Sequence, residues 1–405
     1  MVGGRSVTTL SLFWLLVMTC SASAQGPEQG VTDRTIRIGV VCSLSGPVSS
    51  RGRNFMEGLQ TFFNHVNDTG GIHEKSVVLV VQDDGEDPDQ GVVGVQRMLG
   101  EEGVFGLAST SGVPTTRALI DRGILAGDVP ALAGAALSKS LFSSFRRNLF
   151  FFGMPYGDQV TLAIEYVLKR TPGIYPRMGL LFQDGFLGEE IQEGFHRACR
   201  HYGLEIVGEE RYSLDTYDFA PFVNRLWSVQ ADHIVLGATT WETVQIMREA
   251  GRLGWFPQFI GPSSSAEAGI LNEAGEAADN YLAVDYLAQP WERVPGVTLM
   301  IGNTQKYYPR KDTHALHRYH ILGYVSGLLV SEALQGGGKE LTREAFIHAF
   351  ENIHNLNTHG LADVISYRTD SRLPDSRGRV FQFDIRSGEL RPLTDWSHPM
   401  IKAGQ

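Results

Sequence analysis

The sequence predicts an α/β fold with parallel-type sheets shared between two lobes, and three observations carry that reading. From Ile36 onward, short runs rich in Val, Ile, Leu and Phe alternate with helix-length segments. The runs are continuously apolar, the pattern of strands covered on both faces by helices. The cycle also runs twice, with a pause at "FFFGMPYGDQ" (Phe150 to Gln159) where one lobe would hand over to the next. At 405 residues and 42% apolar, the chain is long enough to bury a core in each of two domains.

The first cycle reads as the strand "IRIGVV", a small-residue turn "SLSGPVSS", a helix, and the strand "SVVLVVQDD". The next helix announces its start: Asp87 stands at an N-cap, Pro88 at the first helical position and Gln90 at the capping-box position. "VFGLAST", "PALAGAA" and "NLFFFGMP" follow as strands. The second cycle supplies "MGLLFQD", "LEIVGEERYS", "HIVLGATT" and "QFIGPSS". From about Val284 the pattern changes to long helices, "HALHRYHILGYVSGLLVSEALQ" and "TREAFIHAFENIH", and then to a strand-like tail, "GRVFQFDI". No low-complexity linker separates the halves, which points to several crossing strands and so to a hinge beside a cleft.

A net charge of −10 leaves no broad basic surface and argues against nucleic acid as a partner. The N-terminus carries Arg5, an apolar run from Leu10 to Met18 and the small triplet Ala22-Ser23-Ala24, so residues 1–24 read as a secretory signal peptide. Lipid attachment at Cys20 is the alternative, with Thr19 a poor fit before it. The mature chain would keep Cys42 and Cys199, expected in different lobes and therefore as two free thiols.

In open α/β sheets, ligands collect beyond the carboxyl ends of the strands, where helix N-termini present unpaired N–H groups. Four such turns are made of small and hydroxyl residues: "SLSGPVSS", "ASTSG", "GATT" and "GPSSS". They read as a polar ligand lining, although plain βα turns with Ser and Gly as caps have the same composition.

The segments "IRIGVVCSLSGPVSSRGRNFMEGLQTFFNHVNDTGGI", "VVLVVQDDGEDPDQGVVGVQRML" and "GEEIQEGFHRACRHYGLEIVGEERYSLDTYDFAPFVNRL" resemble the branched-chain amino acid binding proteins of ABC importers, a family of type I periplasmic binding proteins. The resemblance implies two Rossmann-like lobes joined by a three-strand hinge, with residues 31–153 and 285–373 in the N-terminal lobe and 154–284 and 374–405 in the C-terminal lobe. It also implies a monomer in the periplasm that closes over a small molecule and presents it to the membrane permease subunits of an ABC transporter, without a cofactor or catalysis. A sensor or accessory protein reporting to a membrane partner is the alternative.

Carried across residue by residue, the family's contacts fall on Ser45 and Arg51 in the first turn and on Ser109, Thr110 and Ser111 in the second. The third falls on Ala135, Ala136 and Leu137, where a threonine hydroxyl is lost. Across the cleft they fall on Leu187, with Phe186 beside it, and on Thr239, with Trp241 close by; a further aromatic contact of the family falls on Tyr319. The acid that meets an α-ammonium group falls on Ser263, leaving Glu242 as a substitute only if it points inward. Glu86 stands at a half-cystine position of the family. The expected ligand is therefore a small organic acid or another non-zwitterionic metabolite, aromatic acids included, held by the Ser109–Ser111 donors and Arg51.

Two other patterns stand out. His314, His317 and His320 lie three apart on an expected helix, which spreads them too widely for all three to share one metal. "DDGEDPD" lacks the ordered spacing of a calcium loop. No G-x-S-x-G, H-E-x-x-H or P-loop is present.

Overall fold

The computed structural model describes residues 28–313 and 316–401; the signal peptide expectation, Cys20 and His314 lie outside the described residues. The first sheet is built from β1 (Thr35–Cys42), β2 (Ser76–Asp83), β3 (Gly106–Thr110), β4 (Ala131–Ala133) and β5 (Leu149–Phe151). Its order is β2-β1-β3-β4-β5 and all its pairings are parallel. Helices α1 (Ser49–Asp68), α2 (Pro88–Gly100), α3 (Val113–Asp121) and the short α4 (Lys139–Phe142) connect the strands. At α2 the cap is as expected: the Asp87 carboxylate accepts from the backbone N of Asp89 and Gln90, and the Gln90 side chain reaches the same carboxylate.

The second sheet has the order β12-β11-β10-β9-β8-β6-β7. Helix α5 (Tyr156–Arg170) leads into β6 (Met178–Gln183), α6 (Phe186–Tyr202), β7 (Ile206–Tyr212), α7 (Ala220–Ser228), β8 (His233–Gly237), α8 (Thr240–Arg252) and β9 (Gln258–Gly261). A 3-10 turn at Ser263–Ser265 and the one-turn α9 (Ala268–Leu271) precede β10 (Leu282–Asp285). The tail forms β11 (Arg379–Asp384) and β12 (Glu389–Pro392), which pair antiparallel, so this sheet is mixed rather than wholly parallel. Continuous apolarity failed as a guide at the sheet edge: β2 exposes several residues because only β1 flanks it.

After β10 the chain leaves the second sheet and returns to the first lobe as α10 (Pro295–Tyr307), α11 (Arg318–Gly336) and α12 (Arg343–Glu351). Helix α10 had no counterpart in the sequence reading. Helices α1 and α11 press so close that a Cβ at Gly58 would lie 1.9 Å from the His320 carbonyl oxygen, and one at Gly323 would lie 2.0 Å from that of Phe55. Only glycine permits that approach. The crossing after β10 is pinned by a bidentate ion pair, Arg318 Nε and Nη2 each 2.7 Å from Asp285, with both side chains buried.

The histidine segment is not one helix. His317 is the N-cap residue of α11 and His320 lies inside it, fully buried, its Nε2 2.9 Å from the Thr304 hydroxyl. Burial and the nearby Lys311 charge push His320 down to about 3, so it is neutral.

Candidate ligand-binding cleft

The carboxyl ends of β1, β3 and β4 face those of β6, β8 and β9 across a cleft that holds a cavity of about 260 Å³. From the first lobe it is lined by residues including Ser43, Arg51, Ser109, Ser111, Ala135 and Tyr319, and from the second by Tyr156, Leu187, Thr239 and Ser264. Both lobes thus contribute small hydroxyl groups from the turns that follow their strands.

Helix α3 supplies one wall. Gly112 is its N-cap and Pro114 lies in its first turn, so the N–H groups at this end lack intrahelical partners and face the cavity end lined by Ser111 and Gly112. Ser111 is buried and left-handed at φ +63, a conformation a non-glycine residue holds only when its surroundings fix it. Ser109 donates to the Val41 carbonyl at 2.8 Å and accepts from Ser111 N, so its hydroxyl braces the turn. Asp84 is buried against the same wall with its oxygens committed to the Ser43 and Thr115 hydroxyls, each at 2.7 Å, and to Glu86 N. Glu86 stands at the mouth with its carboxyl raised by burial and left-handed at φ +66.

The opposite end is charged. Arg51 Nη2 lies 3.2 Å from Glu267 Oε1, and His317 Nε2 lies 2.8 Å from Glu267 Oε2. Arg51 sits 5.6 Å from the Tyr319 ring centroid, and that ring stacks on His317 at 5.6 Å. Burial alone would raise the Glu267 carboxyl, but the His317 hydrogen bond and the Arg51 charge outweigh it and hold it down to about 2. The Arg51 guanidinium is raised despite its burial by Tyr319, Glu267 and weaker neighbours including Glu242.

Beyond Glu267 and His317 lies a second cavity of about 790 Å³, between α10, the segment after β10 and the β11–β12 turn. The Arg51–Glu267–His317 cluster is the partition between the two spaces. A further contact joins the lobes elsewhere: Lys139 donates through N to Glu190 at 2.5 Å and through Nζ to Glu193 at 2.6 Å. Burial pushes Glu190 up to about 7 against hydrogen bonds from Ser138 and Lys139.

Residues 35–389 match the family described as periplasmic binding protein. The chain belongs to that family. The Leu/Ile/Val/Thr-binding protein of Salmonella typhimurium is 28% identical over 61% of this chain and 67% of its own length. The Leu/Ile/Val-binding protein of Escherichia coli K12 is 28% identical over 61% and 66%. Two solved structures share the fold: a branched-chain amino acid ABC transporter protein from Thermus thermophilus with bound valine (TM-score 0.80, 17% identity, 91% of this chain and 97% of that one) and a fatty acid ABC transporter substrate-binding protein from Thermomonospora curvata (TM-score 0.79, 20% identity, 93% and 95%).

In this periplasmic binding protein, Arg51, Ser109, Ser111, Ala135, Leu187, Thr239 and Tyr319 come together around the smaller cavity. The remaining sequence candidates lie off its wall. Ser45 is exposed and its backbone N turns to Asp83, while Ser43 faces the cleft. Thr110 is fully buried, its hydroxyl 2.7 Å from that of Thr116 inside the α3 start. Ala136 and Leu137 are packed into the core of the first lobe. Phe186 and Trp241 are exposed; Trp241 packs edge-on against Tyr217 and Phe219 outside the cleft. Ser263 is buried with its backbone N bonded to Gln159, and Ser264 takes the wall position. Glu242 accepts the Thr239 hydroxyl across the first turn of α8, a local contact.

Glu267, His317 and Tyr156 were missed. The only local signal was the acid in "SSSAE" after a cleft turn; nothing local shows that it meets Arg51. Cys42 and Cys199 are buried and unbridged among the described residues, and burial pushes both thiols up to about 12. Of the acids in "DDGEDPD", Asp83 and Asp84 accept within the turn, Asp87 caps α2 and Asp89 pairs with Arg122. Among the described residues, no group of three or more His, Cys, Asp or Glu is arranged to hold a metal, and no helix is long and apolar enough to cross a membrane.

Proposed function

We propose that this chain is the periplasmic solute-binding protein of an ABC importer, acting as a monomer that closes over a small organic acid and delivers it to a membrane permease. The lobes would exchange chain at 153/154, 284/285 and 373/374, next to β5, β10 and the segment before β11. The observation that carries the ligand class is the Arg51–Glu267 pair: the acid that follows Ser263 in the same connection between β9 and α9 is already engaged by the protein. An incoming ammonium group would have to compete with Arg51 and His317 for Glu267, and burying it unpaired is costly. At the other end, Ser111 and the α3 N-terminus offer donors to a carboxylate.

Size narrows the class further. Drug-sized ligands occupy roughly 300–1,000 Å³, so a cavity of about 260 Å³ favours a metabolite of modest size over a long acyl chain. The relatives that bind leucine, isoleucine, valine or fatty acids therefore do not transfer their ligands directly. A thermal-shift screen of amino acids, aliphatic and aromatic acids, amides and polyols tests this, because ligand at 100 times its Kd adds about 2.7 kcal/mol. The largest shift is expected from a small organic acid; the largest shift from leucine or valine would overturn the reading.

A further inference from the structure

We infer that Arg51 is the specificity-determining residue of this cleft, supplying from the protein itself the positive charge that Glu267 requires and so excluding ligands that carry an ammonium group. The inference rests on the proposed solute-binding role and names the residue that sets its ligand class.

Glu267 enters from the second lobe, between β9 and α9, and its side chain is 3% exposed. Arg51, His317 and Tyr319 enter from the first. His317 takes Oε2 and Arg51 faces Oε1, where no linear hydrogen bond is made although the atom is buried. That geometry is an ionic match with one acceptor lone pair still open, the position a stronger donor would take if Arg51 were absent. The guanidinium is held in place by the Tyr319 ring, itself stacked on His317. Glu242 and Glu86 also attract it. A ligand ammonium would have to displace this tethered cation or stand beside it, and like charges in a desolvated cleft repel. A ligand carboxylate meets no like charge from Arg51 itself. The same side chain bounds the smaller cavity, while Glu267 and His317 bound the larger one beyond, so Arg51 limits ligand length as well as charge.

The test uses the full mature chain and calorimetric titration with acids and their α-amino counterparts: 4-methylpentanoate against leucine, and 3-phenylpropanoate against phenylalanine. Wild type is expected to bind the acid of at least one pair. Arg51→Ala should weaken that acid by about tenfold or more and gain the amino acid; Arg51→Lys should keep the acid preference, and Arg51→Ala with Glu267→Gln should lose the gain. Unchanged preference in Arg51→Ala, or a gain that survives Glu267→Gln, overturns the inference alone. If wild type binds neither member of any pair but Arg51→Ala gains the amino acid, the organic-acid reading falls and the role of Arg51 stands. Binding by neither protein overturns both. Ligand-free scattering adds an arm independent of ligand choice: Arg51→Ala should open the lobes and Arg51→Glu with Glu267→Arg should restore them, whereas equal radii of gyration for wild type and Arg51→Ala would count against the bridge.

Discussion

Arg51 and Glu267 face each other at 3.2 Å across the cleft, one from each lobe. Arg318 and Asp285 make the other buried ion pair that matters for lobe geometry, but at the crossing after β10. The two differ in how they can part. Opening the cleft separates Arg51 from Glu267, whereas Arg318 and Asp285 lie at the crossing itself and need not separate. On the proposed closing motion, the first pair would report closure and the second would sit at the pivot.

The pivot pair should be expensive to break. Asp285 accepts from Tyr286 N, Leu287 N and both Arg318 nitrogens, so Asp285→Ala strands a buried guanidinium. Chemical denaturation is expected to show a loss of about 3–5 kcal/mol. A loss below about 1 kcal/mol would mean that water reaches the site.

Acid should weaken the cleft bridge. Glu267 is held down from 4.5 to about 2, so its contribution is fully present above about pH 4.5 and is lost as the pH falls through 2. At about 1.4 kcal/mol per pKa unit the effect is about 3 kcal/mol. Melting curves from pH 6 to pH 2 should show wild type losing its advantage over Glu267→Gln in that window.

The Glu190 contact runs the other way. Its carboxyl is raised from 4.5 to about 7, so its contribution is full below pH 4.5 and is lost as the pH rises through 7. Between pH 5 and pH 8 wild type should lose stability relative to Glu190→Gln. A parallel course of the two melting temperatures would show that the Glu190 carboxyl is not buried in solution.

Close approach of α1 and α11 makes two glycines sensitive. Gly58→Ala and Gly323→Ala each place a methyl group against backbone carbonyl oxygen, which cannot swing aside as a side chain would. Overpacking typically costs about 1–3 kcal/mol, and these should fall at or above that range. Gly302→Ala, on exposed α10 surface with open space, is the matched control and should cost little.

Both thiols should be silent in the native protein. Cys42 and Cys199 are buried and pushed up to about 12, so alkylation at pH 8 should be slow until denaturant is added. Intact mass should then show both cysteines modified; rapid native labelling of either would contradict its burial.

The sequence by itself determined the alternation of strands and helices, the Asp87 cap and the four hydroxyl turns that meet at the cleft. These are local or periodic properties, written in burial pattern and cap chemistry over a few residues. Only the tertiary structure decided which side chain of each turn points inward: Ser43 rather than Ser45, and Ser264 rather than Ser263. Ser43 and Ser45 lie in the irregular turn after β1 and Ser263–Ser265 in a 3-10 turn, so no strand or helix period carries through to say which of them faces the cavity. It also decided that Glu267 meets Arg51 and His317, three residues brought together from α1, the β9–α9 turn and the start of α11. No local pattern encodes a contact between distant segments; it exists because two lobes pack around a hinge.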